Sequence, residues 1–322
     1  MLFIGIDISK SSFNVAVLHD KTYSNAQFEN NQTGFDALIK WVNQFKSDSI
    51  FCLEATGIYS LGLAKYLHRK KRTVVLVNPI KTHAFAKMEM MRNKTDKADA
   101  QSIARFCKHL FHHDQISKHL YLPQSEAFEQ LRELIVRLEQ IGKEKHQEIN
   151  HLESARNKMV IRSIKASLRH IEKQKTSLEK EIKHLVCSDA QLHEQVALLI
   201  SIPSIGDKTA WAILAYLGDI ALFSNSKQVT SYAGLNPRVE QSGSTLNKSR
   251  LSKMGNKRLR KSLYMPALVA IRHHPKMVEM YQRLQEKGKP KKVAIVAVMR
   301  KLLVLSYGVL KSGQKYDLDY QS

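Results

Sequence analysis

Arg92-Asn-Lys-Thr-Asp-Lys-Ala-Asp-Ala100 is the stretch on which the prediction of the fold depends. It holds two acids, Asp96 and Asp99, three residues apart and flanked by cations. If a helix begins here, this spacing puts both carboxylates on one face. Carboxylates among cations suit a divalent metal and a phosphodiester, because Mg²⁺ prefers carboxylate oxygens together with substrate phosphate. The plainer interpretation is the solvated first turn of a helix, where the dipole favours Asp.

Short apolar segments and amphipathic helical segments alternate upstream of this pair. Their order is strand, strand, strand, helix, strand, helix, strand, helix, which predicts an α/β domain over residues 1–120. The predicted strands are 2–6, 13–18, 23–28, 49–53 and 73–77, and the predicted helices are 31–45, 59–70 and 96–111.

Acids also stand where two predicted strands end, Asp7 after the first strand and Glu54 after the fourth. In an open sheet, sites form outside the strand ends, near the switch in strand order. Asp7, Glu54 and the Asp96/Asp99 pair are therefore expected to meet. Four gathered carboxylates are costly without a metal. Two Mg²⁺ ions about 4 Å apart would offset this cost and assist in-line phosphoryl transfer.

The composition is strongly basic: 51 Lys and Arg stand against 29 Asp and Glu in 322 residues, a formal net charge of +22. Such a balance points to a polyanionic partner, with nucleic acid favoured over an anionic membrane surface. No apolar run approaches the roughly 18 residues of a membrane span. The start of the chain lacks the basic region of a signal peptide.

The three cysteines, Cys52, Cys107 and Cys187, are far apart in the sequence. They are expected to be reduced thiols in or near the core of a cytoplasmic protein.

Residues 121–197 have a different character. Proline is absent from 124 to 202, and Gly142 is the only glycine before residue 202 in this stretch. Apolar residues recur there on a helical period among Glu, Lys and Gln, which predicts long paired helices forming a coiled-coil arm. A spacer and oligomerisation role is favoured. A basic face between residues 156 and 169 either contacts nucleic acid or is simply solvated.

Residues 198–322 are predicted to be a mostly helical third domain. Leu199-Ile-Ser-Ile-Pro-Ser-Ile-Gly-Asp-Lys-Thr-Ala210 resembles a helix-hairpin-helix, in which Gly206 would supply the tight backbone. Such a hairpin offers backbone N–H groups and a helix N-terminus to phosphate. An ordinary turn between two helices is the alternative. The polar tail after Ser312 is expected to be loose.

A dense basic block follows: between residues 227 and 261 there are nine Lys or Arg against one acid. Interspersed Gly, Ser and Asn make this block suitable for contacts to the phosphate backbone. The residues predicted to bind nucleic acid, here and beside the acids, are Lys94, Lys97, Lys208, Arg238, Lys248, Arg250, Lys253, Lys257, Arg258 and Arg260.

Three motifs carry a family resemblance: Gly5-Ile-Asp-Ile-Ser-Lys10, Leu53-Glu-Ala-Thr-Gly57 and Lys94-Thr-Asp-Lys-Ala-Asp99. Together they resemble the Asp-Glu-Asp-Asp transposases of insertion sequences, a family related to the pilin-gene invertase. The resemblance implies a RuvC-like, ribonuclease-H-type domain shared with Holliday-junction resolvases. It also implies that Asp7, Glu54, Asp96 and Asp99 bind Mg²⁺ or Mn²⁺.

The block from Thr230 to Arg260 is similar to the C-terminal domain of the same family. There a serine in a Ser-Gly context forms a covalent phosphoserine link to DNA, and Ser242 is the matching position. A serine needs activation to act as a nucleophile; nearby cations and a metal would supply it. The rival serines are Ser231, Ser244, Ser249 and Ser252.

The resemblance further implies partners: donor and target DNA, a bridge RNA that pairs with both, and a homo-oligomer (dimer or tetramer) in which one subunit's acids complete another's serine site. Delegating sequence choice to base pairing suits a protein rich in backbone contacts. The predicted enzyme is a bacterial, nucleoid-associated DNA recombinase. The alternatives are a metal-dependent Holliday-junction endonuclease without serine chemistry, and a non-catalytic nucleic-acid-binding protein with a decayed site.

Overall fold

A five-stranded mixed sheet organises the first part of the chain. The structure, a computed structural model, describes residues 1–55, 57–90, 95–242 and 246–317, without the side chains of residues 58 and 238–250. The strands are β1 (Leu2–Ile8), β2 (Ser12–His19), β3 (Thr22–Glu29), β4 (Ser49–Glu54) and β5 (Thr73–Val77). Their order is β3-β2-β1-β4-β5. The β1–β2 and β2–β3 pairs are antiparallel, and the β1–β4 and β4–β5 pairs are parallel.

Four helices connect and cover these strands. They are α1 (Gln32–Asn43), α2 (Ile58–Arg69), α3 (Pro79–Met88) and α4 (Asp96–His112). A 3-10 turn at Ile116–His119 follows, and Leu120 then bridges to Val75 of β5. The mixed α/β region predicted from the sequence is confirmed, with each predicted strand and helix present.

The two faces of the sheet are packed by different helices. Leu2, Ile4 and Ile6 of β1 point to one face and join a core with residues of α1 and α2. Phe3 points to the other face, where the core includes residues of α4. Since side chains alternate along a strand, residues 5 and 7 share the face of Phe3.

Helix α4 lies very close to β1 at Gly5. A Cβ atom built on Gly5 would stand 2.1 Å from the carbonyl oxygen of Ala100 and 2.2 Å from the nitrogen of Ala104. No side chain fits in this space, so the backbone of the strand and that of the helix are in direct contact. This contact fixes the position of the N-terminal turn of α4 over the sheet.

The second part of the chain is mostly helical, as predicted. Its helices are α5 (Glu126–Ser154), α6 (Lys158–Ser188), α7 (Ala190–Ile200), α8 (Asp207–Leu217), α9 (Ser226–Tyr232), α10 (Lys257–Ser262), α11 (Tyr264–His273), α12 (Pro275–Glu286) and α13 (Lys291–Ser312). A two-stranded antiparallel ribbon, β6 (Pro237–Ser242) and β7 (Leu246–Leu251), interrupts them. Neither the ribbon nor α12 is evident from the sequence pattern.

The chain divides into two compact units, Met1–Pro123 and Gln124–Ser322. In the second unit, one continuous core joins α5 and α6, through residues such as Ile135 and Ile182, to α8 and α13. A functional division at residues 120/121 and 197/198 remains a prediction.

Three local expectations are corrected. Cys187 is exposed, whereas Cys52 and Cys107 are buried. In the turn before α8, the left-handed residue is Ser204 with φ 81°, while Gly206 is extended and caps the helix. The tail is held as far as Tyr316, whose backbone N–H donates to Ser201 Oγ at 2.8 Å.

Helix α13 is the one helix in the described ranges that is long and apolar enough to cross a membrane by length and composition, although half of the apolar window is buried. Arg300 and Lys301 interrupt it. Ala294, Val298, Leu302 and Leu303 of α13 are buried, and the last three belong to the core of the second unit. Its apolar character is thus accounted for by packing within the protein.

The contact at Gly5 predicts the effect of a single methyl group. Gly5→Ala should lower the free energy of unfolding by about 1–3 kcal/mol, because α4 must move off the sheet. Gly142→Ala is the matched control, since Gly142 lies within α5 with nothing near its Cβ position. It should raise stability by about 0.5–1 kcal/mol. Urea unfolding of both variants measures the difference; an unchanged midpoint for Gly5→Ala would contradict the close contact.

Candidate active site

Asp7 and Glu54 lie on the same face of the sheet and at the same edge. β1 and β4 are parallel, with Ile6 opposite Leu53, so the next residue of each strand is an acid. Leu53 and Ile6 point to the face covered by α1 and α2. Because side chains alternate, Asp7 and Glu54 point to the α4 face. The expectation that acids gather at this edge thus has a geometric basis in the strand register.

The first turn of α4 brings the second pair of acids to this face. Thr95 is the N-cap: its Oγ1 accepts from the N–H of Ala98 at 3.2 Å, and its carbonyl accepts from the N–H of Asp99 at 2.8 Å. Asp96 and Asp99 are both in that turn. Since the helix is anchored at Ala100, immediately after Asp99, the pair is held beside β1.

The electrostatics of Asp7 report this proximity. Its pKa is raised from 3.8 to about 6, first by burial and then by the negative charges of Asp99, Glu54 and Asp96. The backbone hydrogen bond at Ile8 opposes this shift. All three other acids are therefore near enough to repel Asp7, and a cation at this place would relieve both the repulsion and the desolvation.

Thr82 orients Glu54. Its hydroxyl contacts Glu54 Oε1 in a short hydrogen bond and the carbonyl of Pro79 at 2.9 Å. Thr82 is buried on α3, and Asn78 caps that helix directly after β5. Thr82 is not among the site residues predicted from the sequence. A threonine one turn into a helix that follows a strand end was the available signal.

The described Asp, Glu, His and Cys residues form no group of three arranged to surround a single ion. The four acids are near one another, but no three of them are arranged to ligate one ion. Their donor type, carboxylate oxygen, nevertheless fits Mg²⁺ or Mn²⁺. The assignment of Asp7, Glu54, Asp96 and Asp99 as metal ligands stays a prediction.

The predicted nucleophile lies on the ribbon of the second unit. Ser242 is the last residue of β6 and pairs with Leu246 of β7. Its side chain lies outside the described part of the structure, as does the rival Ser244. The rival Ser249 is on β7, opposite Val239. Ser231 is in α9, and Ser252 follows β7 and donates its N–H to the carbonyl of Asn236 at 2.9 Å.

The cations predicted to bind nucleic acid fall into groups. Lys97, Lys253 and Lys257 are exposed. The backbones of Arg238, Lys248 and Arg250 are on the ribbon, with Arg238 opposite Arg250. Lys94 lies outside the described residues.

Three of the predicted cations have partners within the protein. Lys208 Nζ is 2.7 Å from Glu179 Oε1. Arg258 Nε is 3.8 Å from Glu139 Oε2, and its guanidinium lies 5.9 Å from the ring centre of Tyr216. Arg260 Nη1 donates to the carbonyls of Ala233 and Lys253. Charge density in the sequence gives no sign of these internal contacts.

Two family models match the chain. One, described as the transposase family of IS116, IS110 and IS902, matches residues 196–282, which include the ribbon. The other, described as a transposase and named for the DEDD transposases of IS110, matches residues 4–161, which include all four acids.

Curated relatives agree with these matches. The chain is 34% identical to the pilin gene-inverting protein of Moraxella bovis over 324 residues, covering 98% of this chain and 97% of the relative. It is also 26% identical to an uncharacterised 43.6 kDa protein of insertion element IS110 from Streptomyces coelicolor, over 49% of this chain and 38% of that one. A transposase of insertion element IS1111A from Coxiella burnetii is 36% identical over 30% of this chain and 25% of its own length.

The raised pKa of Asp7 predicts a pH dependence in the chelator-treated protein. The folded state holds a proton up to about pH 6, whereas the unfolded state releases it near pH 3.8. The stability that this proton contributes is complete below pH 3.8 and is lost as the pH rises through 6. Asn cannot ionise, so Asp7→Asn does not lose stability as the pH rises. Its unfolding midpoint should therefore exceed that of the wild type at pH 7.5 but not near pH 4.

Thermal unfolding at a series of pH values, with a chelator present, measures this difference. Asp20→Asn is the control, because the Asp20 side chain is 89% exposed in a turn. Equal midpoints for Asp7→Asn and the wild type at pH 7.5 would show that burial and the neighbouring acids do not raise the pKa of Asp7 as described.

Proposed function

Because this chain belongs to the IS110 family of DEDD transposases, we propose that it cleaves and exchanges DNA strands with a metal-binding acid tetrad and a serine nucleophile. That it is a DNA transposase or recombinase follows from the family. The proposal adds the roles of Asp7, Glu54, Asp96, Asp99 and Ser242. The observation that carries it is the proximity of Asp7 and Glu54 of the sheet to Asp96 and Asp99 of α4: burial first, and then the charges of the other three acids, raise the pKa of Asp7.

The fold of the acid unit supports this assignment. Three antiparallel strands followed by two parallel ones, in the order β3-β2-β1-β4-β5, support the proposal of a ribonuclease-H-type, RuvC-like domain. The α7–α8 turn is proposed to act as a helix-hairpin-helix, with the N-terminus of α8 toward a phosphate. Divalent metal, Mg²⁺ or Mn²⁺, would polarise the scissile phosphate and offset the charge that develops on it.

The proposed chemical step is a transesterification. The Ser242 oxygen bonds to phosphorus, the bridging bond from phosphorus to a sugar oxygen breaks, and that oxygen takes up a proton. The serine proton leaves to a basic group or to water. Cations of the ribbon region, among them the exposed Lys253 and Lys257, stabilise the negative charge on the phosphate. Reversal with a different DNA hydroxyl releases the serine and joins exchanged strands.

The proposed partners are donor and target DNA, a bridge RNA and further copies of this chain. The net charge of +22 supports a polyanionic partner of large area. Reading of sequence by RNA pairing would leave the protein mainly contacts to the backbone, for which exposed lysines are suited.

Two substitutions separate the proposed roles. Ser242→Ala should abolish the covalent protein–DNA adduct and strand exchange. Asp7→Ala should reduce both by at least about 100-fold, because an electrostatic contribution to the transition state is lost. DNA binding should be retained in each, as measured by gel shift. Denaturing gels with end-labelled DNA detect the adduct.

The outcomes discriminate between functions. Adduct formation by Ser242→Ala would exclude this serine, and Ser231→Ala, Ser244→Ala, Ser249→Ala and Ser252→Ala would then identify a rival. Nicking without any adduct would favour the junction endonuclease. Activity restored by mixing the Ser242→Ala and Asp7→Ala proteins would support an oligomer that combines groups from different subunits.

The RNA is tested separately. Protein purified from cells that carry its complete element should retain a discrete RNA through washing in moderate salt, and nuclease treatment should stop recombination with Mg²⁺ present. Adding back that RNA, but not an RNA of scrambled sequence, should restore activity. Full activity after removal of all RNA would contradict the guide.

A further inference from the structure

The strands β6 and β7 form a two-stranded ribbon in the second unit, and the end at which the chain enters and leaves it is its base. Pro237 and Leu251 are the paired residues at this base, and Ser242 pairs with Leu246 at the opposite end. One further hydrogen bond, from the Ser252 N–H to the Asn236 carbonyl at 2.9 Å, extends the pairing beyond the strands. The orientation of the ribbon therefore depends on the two segments that enter and leave it.

Arg260 ties these two segments together. From α10, its Nη1 donates to the carbonyl of Ala233, before β6, at 2.9 Å and to the carbonyl of Lys253, after β7, at 3.3 Å. Gly234 makes room for this contact: a Cβ there would stand 2.6 Å from Arg260 Nη1 and 2.9 Å from the carbonyl oxygen of Met254. Gly234 also has a φ of 68°, which favours glycine.

The start of α10 is fixed to the same place. The Asn256 N–H donates to the Tyr232 carbonyl at 2.6 Å, and Asn256 Oδ1 caps the helix by accepting from the N–H groups of Arg258 and Leu259. Gly255, with φ 145°, lies against Tyr232 and Gly234, since its Cβ would be 2.4 Å from the Tyr232 carbonyl oxygen. The position of Arg260 relative to the ribbon base is thus determined by backbone contacts.

We propose that Arg260 is a positioning residue for the strand-cleaving step and not a contact to the nucleic-acid backbone. Its guanidinium links the segment before β6 to the segment after β7. This link fixes the direction of the ribbon, and therefore the position of Ser242 at its far end. This inference rests on the proposed role of that serine. Neighbouring Lys261, exposed on the same helix, has the same charge without the bridge.

Because the ribbon is long, a small change of angle at its base moves its far end by a large distance. From Pro237 to Ser242 there are five steps of about 3.3 Å, so the end lies roughly 17 Å from the base. A tilt of about 10° at the base would move Ser242 by about 3 Å. A displacement of about 1 Å is enough to lower a reaction rate by roughly 100-fold.

Four variants of this chain, each purified with any RNA that it retains, test the proposal. Arg260→Ala and Gly234→Ala should each lower the rate of adduct formation at saturating DNA by at least about tenfold. Their DNA affinity should change by less than about threefold, in line with one lost or unaltered charge. Gly234→Ala is informative because it disturbs the bridge and changes no charge. Arg260→Lys keeps the charge on a shorter, non-planar side chain and should recover only part of the rate, even at low salt.

Lys261→Ala is the matched control, since it removes one cation from the same helix and should leave the rate at saturating DNA as in the wild type. Hydrogen exchange of the backbone amides in β6 and β7 is the second readout. It should quicken in Arg260→Ala and Gly234→Ala and stay unchanged in Lys261→Ala. Thermal unfolding confirms that each variant is folded.

The opposite pattern would overturn the inference. A wild-type rate for Gly234→Ala, with full recovery by Arg260→Lys at low salt, would make Arg260 a phosphate contact. Unchanged amide exchange in Arg260→Ala would likewise show that Arg260 does not hold the ribbon. If Ser242→Ala still forms adducts, the serine assignment fails by itself, and the exchange measurement alone decides whether Arg260 holds the ribbon.

Discussion

The direct contact between α4 and β1 at Gly5 is the constraint on which the acid site depends. Gly5 meets the backbone at Ala100 and Ala104, so three small residues let a helix and a strand approach without intervening side chains. The register of β1 and β4 places Asp7 and Glu54 on the face that α4 covers. The contact at Ala100 then places Asp99, its neighbour in sequence, over the same edge. A bulkier residue at any of these positions would separate the two pairs of acids.

The gathering of four acids lowers the stability of the folded protein at neutral pH. Burial and three nearby carboxylates raise the pKa of Asp7 to about 6, so its ionised form is unfavourable in the folded protein. Thr82 partly compensates for the gathering of charge by hydrogen bonding to Glu54. Repulsion of this kind at one edge of a sheet is typical of a site whose function requires a cation. The surrounding excess of Lys and Arg attracts a polyanion to the same molecule.

The strands and helices of the unit Met1–Pro123 are well predicted from the sequence, because their apolar residues recur at the regular spacing of strands and amphipathic helices. Alternating apolar residues mark the strands, and parallel strands bring their final acids to one edge. The ribbon is different: residues 237–251 are rich in Arg, Lys and Ser, without the apolar alternation that marks a half-buried strand. The left-handed residue before α8 is Ser204, although a glycine two positions later is the residue that usually adopts this conformation. Contacts between distant segments, such as Arg260 with the Ala233 carbonyl, leave no local signal.

The cations of the second unit show why charge count overstates contact to nucleic acid. On α10, Arg258 and Arg260 have partners within the protein, although Arg258 is itself exposed, as are Lys257 and Lys261. Arginine's planar group suits carboxylates and paired carbonyls, whereas lysine's ammonium remains well hydrated at the surface. The number of phosphates neutralised, which sets how steeply affinity falls with salt, should follow the exposed lysines more closely than the total of basic residues.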